Sequence, residues 1–202
     1  MSKVNICADL HLFVNSENGR TAMREGCIAF VTEEGMFAAL GHREKDGDIS
    51  YVGSDVYSAI TGDDVGQVLH STETGVYGTV YEGCNMNIVD SMEVASFDEI
   101  EEGNAEMIMP FFGKAHRFNG NIVALFKGKP HPVIFEADRG EFPGASFGSS
   151  GGVITQNGKL IAIVAGANEN PANLLYCTSA EQMVNDLNTY ILSLNRKHRT
   201  SK

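Results

Sequence analysis

Basic residues are scarce in this chain. Its 15 Lys and Arg stand against 26 Asp and Glu, for a formal net charge of −11. Nucleic acid and anionic membrane both select a basic footprint, so neither is expected as the main partner. Long apolar runs are missing as well. No segment approaches the ~20 apolar residues of a membrane-spanning helix, and no membrane span is expected. The N-terminus, Met1-Ser2-Lys3-Val4-Asn5, lacks the charged-then-apolar layout of a secretory signal, so the chain as given reads as cytoplasmic. Cysteine is sparse: Cys7, Cys27, Cys84 and Cys177 are widely spaced and form no C-x-x-C pair. That spacing argues against a zinc site and for reduced, mostly buried thiols. No metal or organic cofactor is expected. There is no internal repeat and no low-complexity tract.

What is present is a run of short β-like segments. The 202 residues, 43% hydrophobic and 20% charged, have an ordinary globular composition with room for one large domain or two small ones. Apolar or alternating stretches include Cys27-Ile28-Ala29-Phe30-Val31, Met36-Phe37-Ala38-Ala39-Leu40 and Val76-Tyr77-Gly78-Thr79-Val80-Tyr81. Later ones are Ala105-Glu106-Met107-Ile108-Met109, Asn121-Ile122-Val123-Ala124-Leu125-Phe126 and Pro132-Val133-Ile134-Phe135. Turn signals lie between such runs: Glu33-Glu34-Gly35, Asn119-Gly120, Lys127-Gly128-Lys129 and Gln156-Asn157-Gly158-Lys159. Asn-Gly flanked by strand-like residues is the strongest short-range hairpin signal. Many short strands with frequent turns predict an all-β sandwich or barrel.

One segment follows a different period. Between Ser179 and Asn195 the residues Met183, Val184, Leu187, Tyr190, Ile191 and Leu194 recur at helical spacing. Ser179 with Gln182 reads as a capping box, and Arg196-Lys197-His198-Arg199 suits the negative end of the helix dipole. The acidic, turn-rich stretch around residues 98–104 is the best candidate for a linker. The expected organisation is a first β half over residues 1–97, a linker over 98–104 and a second β half over 105–178. A helix over 179–195 and a basic tail over 196–202 complete it.

Two loops carry the chemistry. Gly148-Ser149-Ser150-Gly151-Gly152 is a small-residue loop that precedes a strand–turn–strand unit. Flanking glycines let a substrate carbonyl approach a serine hydroxyl and let backbone N–H groups turn toward a developing oxyanion. Ser150 has glycine at Gly148 and Gly151 and is the preferred nucleophile, with Ser149 and Ser146 as neighbouring alternatives. The N–H groups of Gly148 and Ser150 are the expected oxyanion donors. Upstream, Ala39-Leu40-Gly41-His42 ends an apolar run in a histidine. Of the six histidines (His11, His42, His70, His116, His131 and His198), only His42 leaves such a strand for a polar loop. An imidazole titrates near neutrality, as the general base for a serine must. A histidine and a serine about half a chain apart suggest a chymotrypsin-like hydrolase.

With both loops in view, the chain resembles the stage IV sporulation protein B (SpoIVB) peptidase family of chymotrypsin-like serine endopeptidases. The resemblance runs from about residue 26 to about residue 185. Phe37-Ala38-Ala39-Leu40-Gly41-His42 with Asp46 is similar to the family's Ala-Leu-Gly-His…Asp segment. Gly75-Val76-Tyr77-Gly78 resembles its Tyr-Gly-Ile-Phe-Gly strand, and Glu102-Gly103-Asn104-Ala105-Glu106-Met107-Ile108 its Gly-x-Ala-x-Ile strand. Val133-Ile134-Phe135-Glu136-Ala137-Asp138 resembles an apolar strand ending in Asp upstream of the serine. Gly148-Ser149-Ser150-Gly151 and Gln156-Asn157-Gly158-Lys159-Leu160-Ile161 are similar to its Gly-x-Ser-Gly loop and Gln-Asn-Gly-Lys hairpin. The family follows its nucleophile with Gly-Ser-Pro, whereas Gly151-Gly152-Val153 stands here.

The resemblance implies a chymotrypsin/trypsin-like double β-barrel of two six-stranded halves with a C-terminal α-helix. It also implies hydrolysis of a protein or peptide substrate through an acyl-enzyme. The orienting acid is open at this level. Asp138 ends the strand before the serine loop and matches the family's acidic position; the ordinary chymotrypsin-like layout favours Asp90 or Asp98. Asp46 lies close in sequence to His42. The small residues Ala165, Gly166 and Ala167 could pair main chain to main chain with an extended substrate. The competing readings are a catalytically inactive binding or structural module on the same fold and a non-peptide esterase.

Overall fold

The computed structural model describes residues 3–13, 25–41, 51–72, 75–111, 114–140, 142, 150–168 and 173–200. The first half holds β1 (Lys3–Cys7), β2 (Leu10–Phe13), β3 (Glu25–Thr32), β4 (Met36–Leu40), β5 (Asp55–Ser58), β6 (Asp64–Ser71), β7 (Gly75–Val80) and β8 (Ile88–Glu93). They make one sheet in the order β2-β5-β6-β7-β4-β3-β1-β8. A further β2–β3 pairing, with His11 opposite Cys27, links β2, β5, β6, β7, β4 and β3 in a ring. Strands β1 and β8 extend the sheet beyond that ring, so the first half carries two strands more than the six expected.

After a 3₁₀ turn at Phe97–Glu99 come β9 (Gly103–Phe111), β10 (Lys114–Leu125), β11 (Val133–Ala137), β12 (Val153–Gln156), β13 (Lys159–Ala167) and β14 (Leu174–Ser179). These six close into a barrel in the order β10-β11-β14-β13-β12-β9. Helix α1 (Ala180–Thr200) follows β14 directly. The stretch between the halves is pinned at both ends. Lys159 Nζ meets Glu99 at 2.7 Å, and Gln156 bonds the backbone N–H and C=O of Glu101.

Burial explains the sequence patterns. In β10 only every second residue around Phe118, Gly120 and Ile122 turns inward, because its other face meets water. In β4 almost every residue is buried, because both faces are covered. Phe37 and Ala39 fill the interior of the first half with Leu12, Ile28 and Val68. Ala38 and Leu40 face a second cluster shared with Phe30, Ile108, Val153, Leu160 and Ile163. That cluster joins the halves, and Met183, Val184 and Leu187 of α1 lie in it. The closed barrel has its own interior around Met107, Ile122, Phe135, Ile154 and Leu175. Full burial of a Phe or Ile in these clusters stabilises by about 1.5–3 kcal/mol each.

Asn157 (φ 52°) and Gly158 (φ 74°) form the tight β12–β13 turn, as the Asn-Gly pair predicts. The same dipeptide at Asn119-Gly120 does not turn. It lies inside the twelve-residue β10, with Gly120 opposite Ala137. A Cβ on Gly120 would fall 2.3 Å from the Glu136 carbonyl oxygen and 2.5 Å from Phe135 Cζ. The glycine is there so that a ring can cross the strand, which a dipeptide rule cannot detect. At the helix, Ser179 Oγ accepts the Gln182 N–H at 3.4 Å. The Gln182 side chain turns instead to Asp186 Oδ1 at 2.8 Å, so only half of the capping box forms. The helix runs on to Thr200, through most of the expected basic tail.

Candidate active site

Ser150 sits half-buried in a turn with Gly151, whose φ of 93° is open to glycine and closed to most other residues. Two backbone bonds then dock the loop on β13. The Gly151 N–H donates to the Val164 carbonyl at 3.0 Å, and the Val164 N–H donates to the Gly152 carbonyl at 2.7 Å. This places Ser150 at the end of the β12–β13 ladder, beside Val164.

The stretch beyond Val164 suits an extended chain. The β13–β14 register shifts between Val164 and Gly166, and Gly166 and Ala167 then pair with Tyr176 and Leu175 of β14. On the β12 side the ladder pairs ends at Val153 opposite Ile163. Ala165, Gly166 and Ala167 are all half-buried, with Ala165 against the cluster between the halves. The nucleophile candidate and the substrate-strand candidates therefore share one neighbourhood.

His42 lies outside the described residues, as do Asp46, Gly148, Ser149 and Ser146. The strand leading to His42 is described. β4 ends at Leu40, opposite Gly75, and Leu40 is buried in the same cluster as Val153 and Ile163. At Gly41 a Cβ would be 3.4 Å from Val76 Cγ2 and 3.8 Å from the Thr72 carbonyl oxygen. The β6–β7 turn is thus the immediate neighbour of the β4 exit. Sequence reasoning passed over this turn, because nothing local ties residue 72 to residue 41.

The acids divide by environment. Asp90 takes Arg117 Nη2 at 2.8 Å, and the same guanidinium also binds Glu106. Those bonds, the one to Asp90 foremost, hold the Arg117 charge more firmly than usual. The trio lines a polar groove of about 390 Å³ with Asn104, Asn119 and Asn157. Asp98 is exposed and pairs with Lys127 Nζ at 2.5 Å. Asp138 is exposed at the end of β11. Its N–H donates to the Asn119 carbonyl at 2.9 Å and its carbonyl accepts the Phe142 N–H at 3.2 Å. Phe142 packs edge-on against Phe118 at 5.3 Å, which fixes the chain at residue 142.

Four other histidines have described surroundings. His70 stacks on Tyr190, His131 meets the Thr178 hydroxyl at 3.3 Å, His116 is exposed on β10 and His11 is buried on β2. The two buried thiols, Cys7 and Cys177, are poor nucleophiles. Burial, with Asp9 nearby, pushes Cys7 up to about 12, and burial also raises Cys177. Among the described residues no helix is long and apolar enough to cross a membrane, and no His, Cys, Asp and Glu cluster is arranged to hold a metal.

Two solved structures are similar in fold. One is the active form of the Rv3671c protease from M. tuberculosis, 16% identical with a TM-score of 0.55, covering 92% of this chain and 79% of that one. The other is the HtrA-type protease AlgW with a decapeptide, 14% identical with a TM-score of 0.56, covering 94% of this chain and 64% of that one. The fold is chymotrypsin-like, mostly β with a C-terminal helix. No curated protein matches the chain. The family described as SpoIVB peptidase S55 matches residues 52–184, a span that holds Ser150 and Asp138 and begins after His42. That match covers more than half of the sequence, and the chain belongs to this peptidase family.

Proposed function

We propose that this peptidase is a serine endopeptidase that cleaves protein or peptide substrates through an acyl-enzyme. The observation that carries the reading is the docking of the Ser150 turn on β13 beside Ala165, Gly166 and Ala167. A substrate paired along that stretch brings its carbonyl to a hydroxyl held by glycines. Ser150 Oγ attacks the carbonyl carbon while His42 takes the hydroxyl proton. The N–H groups of Gly148 and Ser150 stabilise the oxyanion, and His42 returns the proton to the leaving amine. Water then enters with His42 again as base, and the acyl bond to Ser150 is hydrolysed. Leu40 and Val153, two residues before His42 and three after Ser150, lie in one buried cluster, which supports a shared site.

Asp138 is the proposed orienting acid. The pairing of Asp90 with Arg117 and of Asp98 with Lys127 supports it over those two. One observation favours a competitor. Thr72 adjoins Gly41, and the next residue in the chain is Glu73, which lies outside the described residues. Labelling with a serine-directed fluorophosphonate, followed by peptide mapping, tests the reading. Label on Ser150 that disappears in Ser150→Ala is expected. Label that persists there, or moves with Ser149 or Ser146, refutes the assignment, and absence of any label favours an inactive protease-fold module.

A further inference from the structure

Helix α1 starts in the second half, where Ser179 pairs with Ala162 of β13. Past its apolar face in the shared cluster it makes a polar attachment to the first half. Tyr77 of β7 is fully buried, and its hydroxyl donates to Asp186 Oδ2 at 3.3 Å. The same hydroxyl hydrogen-bonds the Thr72 side chain. The ring reaches this point by folding back over Gly75, where a Cβ would fall 2.2 Å from the hydroxyl oxygen. Beside it, the His70 ring stacks on Tyr190 of α1 at 4.7 Å, with Tyr77 6.2 Å away.

Thr72 passes the contact on. Its N–H donates to the Gly75 carbonyl at 2.7 Å and its Oγ1 accepts the Gly75 N–H at 3.0 Å, which closes the β6–β7 turn. Gly75 is the partner of Leu40 at the end of β4, and the Thr72 carbonyl borders Gly41. One connected path therefore runs from Asp186 through Tyr77 and Thr72 to the residue preceding His42.

We propose that α1 is a latch on the exit of β4, with Asp186 and Tyr77 as positioning residues that hold the segment delivering His42. The proposal rests on the Ser150–His42 reading above. The phenol ring is fully buried and the Asp186 carboxylate half-buried, so the 3.3 Å bond is a directional polar link from the interior of the first half to the helix. Tyr77→Phe removes that bond and keeps the ring in its apolar cluster.

The test uses the whole chain, with Leu192→Ala on the exposed face of α1 as the control. In Tyr77→Phe and in Asp186→Ala, amide exchange over residues 39–41 and 70–76 should quicken about ten-fold or more, as for a locally loosened unit. The maximal rate of fluorophosphonate inactivation should fall roughly 10–100-fold, the scale of a small misplacement at a reacting group, with the half-saturating concentration unchanged. Leu192→Ala should change neither. Faster exchange with an undiminished inactivation rate overturns the latch, and so does an equal rise of exchange throughout β9 to β14. A wild-type chain that is never labelled at Ser150 overturns the serine reading itself, and the latch with it.

Discussion

The two β halves solve the same packing problem differently. The second closes six strands around one interior, so a strand such as β10 needs one apolar face. The first adds β1 and β8 outside its ring and covers both faces of β4, which accounts for the unbroken Met36-Phe37-Ala38-Ala39-Leu40 run. Yet both use one device inside. Phe37 stands opposite Gly78 and would be 2.5 Å from a Cβ there, as Phe135 would be from one on Gly120. The lesson is that the asymmetry is confined to the outer face. The first half offers an apolar wall on which the second half and α1 both dock, and the exit of β4 lies at that wall.

If the halves contribute a base and a nucleophile to one reaction, His42→Ala and Ser150→Ala should each lower peptide turnover by at least about 10³-fold, and the double variant should lose little more. Mass-spectrometric turnover of a peptide library measures this. Additive losses would break the comparison, because the residues would then act separately. The acid sharpens it next. Asp138→Asn should cut turnover by up to roughly 10⁴-fold with the fold intact, while Asp90→Asn and Asp98→Asn stay mild. The large loss appearing in Glu73→Gln instead would assign the acid to the first half.

Stability effects come after these. Phe37→Ala and Phe135→Ala should each cost about 3–5 kcal/mol in urea unfolding, since each empties a fully buried site. A single shared transition is expected because the cluster between the halves couples them; two transitions would show that the wall is weak. Gly120→Ala should cost about 1–3 kcal/mol by overpacking, with Phe135 forced to move. The smallest effect belongs to the exposed Lys159–Glu99 pair. The hydrogen bond to Lys159 lowers the Glu99 pKa, and the bond to Glu99 raises that of Lys159. The Glu99 contribution is therefore present above its unfolded pKa and fades as pH falls through its lowered folded value. The Lys159 contribution is present below its unfolded pKa and fades as pH rises through its raised value. Lys159→Ala should lower the melting temperature slightly at neutral pH, and 1 M salt should erase the difference.

Short-range physics was readable in the chain. Strand alternation, the Asn157-Gly158 turn and the Ser179 helix start depend on residues within a few positions of one another, and the structure has them where the pattern predicts. The glycine-flanked Ser150 was equally visible as a loop, and its docking on Val164 fits that reading. Contacts between distant segments were not readable. Asn119-Gly120 has the local chemistry of a turn, and only Phe135 crossing above it makes it strand. Asp90 and Asp98 look like any other acids until Arg117 and Lys127 arrive from elsewhere in the chain. The Tyr77–Asp186 bond joins residues 109 positions apart. Local propensity and spacing determined the elements and the glycine-flanked loop of Ser150. Only tertiary packing decided which elements share a wall, which acids are already paired and how the helix reaches β4, because burial and charge pairing act between segments that no local pattern relates.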